Sequence, residues 1–286
     1  MTASDIKTKK FIIIVGQPKS GTTSLYTWLS KHPKICASII KETRFFLDQN
    51  SLEPRKLKFT GNNIDQYLDL FPSKDAEFYL EASPDYLYDE LPLTLNELLP
   101  NSYLIIIERN PLDRMLSCYR YFQQQGRLPL SLSFDDFIDQ QIKPTVVNEP
   151  NNPFQCLHQC KRSYITKFQK KYGDRCLVFN FDKLKKNPDQ IIRECCEKIG
   201  LAHDKMEQDY RAHNVSKETR LPQVTKYFRN ARRFLSYSLI KFPRIRKLLG
   251  YVSKGLQNYL YRTSKSKIKI DVSSKTRKVI NDTAAQ

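Results

Sequence analysis

Residues Gly16-Gln17-Pro18-Lys19-Ser20-Gly21-Thr22-Thr23-Ser24 bring two glycines, one lysine and four hydroxyls into a single short stretch. Such a stretch binds anions: glycine lets the backbone turn so that its N–H groups converge on phosphate-like oxygens, and the lysine neutralises their charge. A nucleoside triphosphatase places its lysine directly after the second glycine. Here Thr22 holds that position and the cation stands earlier, at Lys19. A lysine inside the loop lies beside the near end of a diphosphate-like group instead of spanning terminal phosphates and a metal. The chemistry indicated is metal-free group transfer.

Two further constellations complete such a reaction. Arg109, in Glu108-Arg109-Asn110-Pro111, offers a planar fork for a phosphate, and Ser117 adds a hydroxyl eight residues later. In Lys41-Glu42-Thr43-Arg44-Phe45-Phe46, Glu42 is a carboxylate able to take a proton from an attacking group. The four histidines are His32, His158, His203 and His213. His32 sits in a His-Pro turn and reads as structural, and the others lie away from any donor motif and read as surface or packing residues.

Pro18–Thr23 has the form P-K-[SG]-G-T-[TS], and the chain thereby resembles the sulfotransferases that use 3′-phosphoadenosine-5′-phosphosulfate (PAPS). The strand ending at Arg109, then Asn-Pro, then Ser117 is similar to that family's 3′-phosphate site. The resemblance spans roughly Phe11–Arg220 and is nearer to the glycan-type and bacterial members than to the cytosolic aryl enzymes, which commonly use a histidine base. It implies that Lys19, Ser20, Gly21, Thr22, Thr23 and Ser24 hold the 5′-phosphosulfate, that Arg109 and Ser117 hold the 3′-phosphate, and that Lys19 and Glu42 are catalytic. Ser216–Arg220 resembles a late basic loop that closes over the donor, which adds Lys217 and Arg220. PAPS is then the co-substrate, PAP the product, and no metal is expected. Glu81-Ala82-Ser83-Pro84-Asp85-Tyr86 looks like the segment lining the acceptor cleft. Several glycan enzymes carry lysine where Ala82 stands, so the acceptor reading favours a hydroxyl or amine of a small specialised metabolite, with a glycan as the alternative.

Positioning these groups requires a particular architecture. Phe11–Val15 is a continuous apolar, β-branched run, the pattern of a central strand buried on both faces. Leu25, Trp28 and Leu29 then recur at helical spacing up to His32-Pro33. Further strands are predicted at Phe78–Glu81, Tyr103–Glu108 and Cys176–Phe181, and helices at Pro111–Gln125, Phe154–Tyr172 and Asn187–Ile199, the last stopped by Gly200. Pro144–Pro153 reads as a loop. Strands alternating with helices give an α/β protein: a three-layer, P-loop-like fold with a mainly parallel central sheet flanked by helices. Residues 1–220 form the PAPS-binding domain. Residues 221–286 form a basic helical extension packed on or trailing it, with an amphipathic stretch at Val224–Tyr261 and a polar, loosely held end at Ser264–Gln286, in which Val272–Ile280 starts a terminal helix.

The chain's charge of +18 is concentrated late, because Lys217–Ile280 holds eighteen Lys or Arg against only Glu218 and Asp271. This segment predicts peripheral contact with anionic surfaces. No nucleic-acid signature accompanies it, so nucleic acid is not an expected partner. No early apolar run has signal-peptide length, the seven cysteines read as free thiols, and a cytoplasmic location is expected. Cys156, His158 and Cys160 lack a second ligand pair and read as packing residues, as do Cys195 and Cys196, while Arg114 reads as a helix-surface charge. Two rival functions are a small-molecule kinase, which lacks its lysine here, and a basic polyanion-binding module.

Overall fold

The computed structural model describes residues 3–47, 57–142, 152–203, 210, 217–219, 261–263 and 270–286. For residues 3–5, 217–219 and 261–263 only the backbone is described. All of the predicted stretch Val224–Tyr261 but its last residue, and nearly all of the loop Pro144–Pro153, lie outside these residues.

Strand β1 (Lys10–Gly16) occupies the middle of the sheet because it carries apolar side chains on both faces. Phe11, Ile13 and Val15 enter one core, and Ile12 and Ile14 enter the other. Its neighbours are β3 (Phe78–Ala82) and β4 (Ser102–Glu108), with β2 (Ile35–Ala37) and β5 (Cys176–Asn180) beyond them in the order β2-β3-β1-β4-β5. All four pairings are parallel. Strands β6 (Lys217–Thr219) and β7 (Tyr261–Thr263) form a separate antiparallel pair beside α4 (Pro111–Gln124).

Helices cover both faces, giving the predicted three layers. On one side, α2 (Thr22–Leu29), α7 (Phe181–Lys186) and α8 (Pro188–Ile199) bury Leu25, Trp28, Leu29, Leu184, Ile192 and Cys195 against the sheet. On the other side lie Ile6 from α1 (Ala3–Thr8), the 3-10 turn Ile64–Leu70, α3 (Leu95–Leu98) and α6 (Ser163–Tyr172). A third cluster joins α4 to α5 (Phe134–Ile142) and to α9 (Ser274–Ala284) through Met115, Phe122, Phe137 and Ile280.

Three expectations are corrected. Phe154–Tyr172 is not one helix: two 3-10 turns, Pro153–Gln155 and His158–Cys160, precede α6. The Cys156 carbonyl, which a continuous helix would pair with the Cys160 N–H, accepts instead from Arg114 Nη1 at 3.1 Å, and the Cys160 N–H donates to Leu157 at 2.9 Å. Arg114 is not on the surface; it is fully buried. The end of the chain is also held, since Val272, Thr276 and Ile280 are buried and the Ala284 carbonyl accepts from the Arg162 N–H at 3.2 Å. Thr276 and Ile280, four residues apart, share one face of α9, and Val272 packs just ahead of the helix.

Candidate active site

The anion loop follows directly from β1. Gly16 lies against Leu87, where an added Cβ would approach the Leu87 Cδ2 to 2.6 Å, so no larger residue fits. Gly21 is the N-cap of α2 at φ 84, a left-handed conformation that glycine adopts without steric cost. A side chain there would also meet the Phe181 ring at 3.1 Å. Lys19 turns through φ 68, and Ser20 closes the loop by donating to the Gln17 carbonyl at 3.2 Å. The N-terminal N–H groups of α2 therefore face the same region as the loop.

Arg109 follows β4 and reaches across to this loop. Its N–H donates to Gln17 Oε1 at 3.2 Å and its Nη1 to the Lys19 carbonyl at 2.7 Å, while its guanidinium lies 4.4 Å above the Phe181 ring. The Lys19 ammonium sits 4.0 Å from the centre of the Tyr121 ring. Burial pushes this ammonium below the ordinary lysine range; Arg109 and Lys41 push the same way, and Cys118 and Glu42 oppose them. Glu42 is thus close enough for its charge to be felt at Lys19. Burial likewise lowers Arg109. Among the described residues, the buried Ser20 Oγ and Arg109 Nε have no hydrogen-bond partner. Two cations with buried donors to spare fit an anionic phosphosulfate and phosphate better than a neutral ligand.

Arg114 braces the loop from below. Its Nε donates to the Pro18 carbonyl at 3.3 Å, and its Nη atoms reach Cys156, Cys160, Tyr88 and Gln159 at 3.1–3.3 Å. Cys118, one turn further along α4, is drawn below the usual thiol range by its contact with Cys156 and by Arg114, Lys19 and Arg109. Sequence reasoning passed over both residues. Their signal was the spacing Arg114, Cys118, Phe122, which places them on the buried stripe of α4.

The stretch Lys41–Phe46 is pinned to the end of β3 and the turn after it. Ala82 N–H donates to the Lys41 carbonyl at 3.1 Å, Arg44 N–H to Ser83 Oγ at 2.9 Å and Phe46 N–H to Tyr86 Oη at 3.1 Å. Thr43 Oγ1 donates to the Glu81 carboxyl, which is fully buried. Burial pushes Glu81 up to about 7 against the pull of the surrounding hydroxyls, Thr43 foremost. Glu42 itself is 39% exposed and pairs with Lys41 at 2.9 Å and Arg44 at 3.2 Å.

The structure thus brings Lys19, Ser20, Gly21, Thr22, Thr23, Ser24 and Arg109 to one edge of the sheet, with Glu42 within electrostatic range of Lys19. Ser117 is half-buried on α4, beside Cys118. The side chain of Lys217 and all of Arg220 lie outside the described residues. His32 is structural: its Nε2 is 3.1 Å from the Ala202 carbonyl and its Nδ1 accepts from Lys34 N–H. His158 is exposed, 2.6 Å from Tyr164 Oη, and His203 pairs with Asp189. His213 is outside the described residues.

The profile of the Sulfotransferase family matches residues 12–205. The chain belongs to this family. Over 134 residues, 44% of the chain, it is 33% identical to the bifunctional heparan sulfate N-deacetylase/N-sulfotransferase 4 of Mus musculus. It is 28% identical over 179 residues, 59% of the chain, to the human bifunctional heparan sulfate N-deacetylase/N-sulfotransferase 3. The matched parts are 14% and 19% of those proteins' lengths. A crystal structure of a sulfotransferase from Alicyclobacillus acidocaldarius shares the fold, with a TM-score of 0.60 at 22% identity over 84% of this chain and 96% of that one. No described helix of this sulfotransferase is long and apolar enough to cross a membrane.

Proposed function

We propose that this sulfotransferase moves a sulfonate group from PAPS to a hydroxyl or amine, without a metal. The observation that carries the reading is the joining of Lys19 to Arg109 at one edge of the sheet, with buried donors of Ser20 and Arg109 unpaired among the described residues. Lys19, Ser20, Gly21, Thr22, Thr23 and Ser24 hold the 5′-phosphosulfate, and Arg109 and Ser117 the 3′-phosphate. Lys217 and Arg220 remain proposed contacts from the late basic segment. PAPS supplies an activated sulfonate with a phosphate leaving group. Lys19 stabilises the charge that grows on the leaving oxygen, and Glu42 removes the acceptor's proton.

For the acceptor, a small specialised metabolite is favoured because Ala82 stands where several glycan enzymes of the family carry lysine. An amine of a glycan is the second reading, favoured by the similarity to proteins named as heparan sulfate N-sulfotransferases. The deciding experiment offers radiolabelled PAPS together with de-N-sulfated heparin in one arm and a panel of small phenols, alcohols and amines in the other. Label on the polysaccharide alone selects the glycan reading. Label on small molecules alone selects the metabolite reading.

A further inference from the structure

The residues around Glu42 assign separate tasks to its two carboxylate oxygens. Arg44 Nη2 lies 3.2 Å from Glu42 Oε2 and 2.9 Å from Asp85 Oδ2, so one guanidinium nitrogen bridges two carboxylates. Lys41 Nζ lies 2.9 Å from the other oxygen, Oε1. The two cations differ in freedom. The side chains of Arg44 and Asp85 are 6% and 9% exposed, whereas Lys41 is 21% exposed on a four-carbon stem.

Arg44 is also fixed at its backbone. It adopts φ 54, in the left-handed region that a residue with a bulky side chain occupies only when its surroundings impose it. Ser83 Oγ accepts from its N–H, Thr43 before it is tied to Glu81, and Phe46 after it is tied to Tyr86. The segment Glu81–Tyr86 therefore orients Arg44 from both ends, and Arg44 in turn aims Glu42. Among the described residues the Lys41 ammonium pairs with Glu42 alone, so it can withdraw as an acceptor arrives, since partly exposed ion pairs are cheap to break.

We infer that Arg44, clamped by Asp85, is the positioning residue for Glu42, and that Oε1 is the proton-accepting atom. This rests on the reading of Glu42 as base. In the step, the acceptor's lone pair forms the new bond to sulfur while its proton passes to Oε1. The bond from sulfur to the donor phosphate oxygen breaks, and that electron pair stays on the phosphate. Arg44 holds Oε2 throughout, so the carboxyl group does not rotate away from the acceptor.

The test measures turnover of PAPS to PAP with water as acceptor and with de-N-sulfated heparin, alongside calorimetric PAP affinity, for Arg44→Lys and Asp85→Asn. Arg44→Lys keeps the charge but loses the bridge, and we expect turnover to fall ~10²-fold, the scale of a roughly 1 Å misplacement, with PAP affinity and KM unchanged. In a Glu42→Gln background the same change should cost almost nothing more, because the group being positioned is already gone. Equal losses in both backgrounds would assign Arg44 a purely structural role and overturn the inference, as would native turnover of Arg44→Lys. If Arg44→Lys fails to fold, Asp85→Asn carries the same comparison, with a smaller fall expected. Wild-type protein that binds PAP but never converts PAPS to PAP would overturn the transfer reading, and this inference with it.

Discussion

Residues 16–24 and residues 41–46 lie at the same edge of one parallel sheet, yet their backbones are held in different ways. In the first region, Ser20 Oγ and Arg109 Nε are buried without partners among the described residues, and burial lowers both Lys19 and Arg109. In the second, the N–H groups of Arg44, Phe45 and Phe46 all find side-chain oxygens and Arg44 is paired with Asp85, while one oxygen of the neighbouring Glu81, Oε1, is buried without a hydrogen bond among the described residues. A buried polar group left unpaired costs about 1–3 kcal/mol. An anionic ligand at residues 16–24 would supply the missing partners of Ser20 Oγ and Arg109 Nε, whereas the backbone of residues 44–46 is already tied to side chains of the protein. We propose that the first region binds the donor and that the second holds a proton acceptor still.

The largest expected effect falls on the second region. Glu42→Gln should lower turnover ~10²–10⁴-fold while PAP affinity stays native, because its environment is built without the ligand. A parallel fall in calorimetric PAP affinity would erase the distinction between the two regions.

Next comes the buried acid beneath the base. Glu81 is raised to about 7 from an ordinary value near 4.5. A carboxyl raised on folding binds more protons in the folded than in the unfolded chain, so its contribution is full below that ordinary value and is lost as pH rises toward 7. Denaturant unfolding of wild type and Glu81→Gln at pH 5 and pH 8 should differ by about 3 kcal/mol in their pH dependence, wild type losing more on the alkaline side. Parallel pH dependences would show that Glu81 is not a buried, protonated anchor.

Much of this was legible in the sequence, and the failures have identifiable causes. β1 was clear because a strand covered on both faces must be apolar throughout. β2 was missed because three residues, Ile35–Ala37, carry too little periodicity. The loop after β1 and Arg109 stood out because glycine, lysine and arginine at those spacings have few other uses, and the structure brings the two together. Arg44 and Asp85 were not found as a pair, since their contact depends on how the turn after β3 meets the stretch after β2. Arg114 was misjudged because its charge was weighed above its phase on α4, where it shares a face with Cys118 and Phe122.

Two smaller effects sharpen the donor half. Arg109→Ala should weaken PAP binding by about 1.5–3 kcal/mol, the worth of a charge-assisted contact, as read by calorimetry. Ser20→Ala should leave melting temperature native or slightly raised, because it removes a buried hydroxyl without a partner, yet weaken PAP by about 0.5–1.5 kcal/mol. A destabilised Ser20→Ala with native PAP affinity would mean that this hydroxyl serves the fold and not the donor.

Metal-free sulfonate transfer from PAPS at the Lys19–Arg109 edge is tested most directly by following PAP formation from PAPS in chelator-treated protein, beside the same protein given ATP and magnesium. PAP formation should survive the chelator and fall ~10²–10⁴-fold in Glu42→Gln, with no turnover of ATP. Magnesium-dependent ATP turnover with inert PAPS would show a kinase instead.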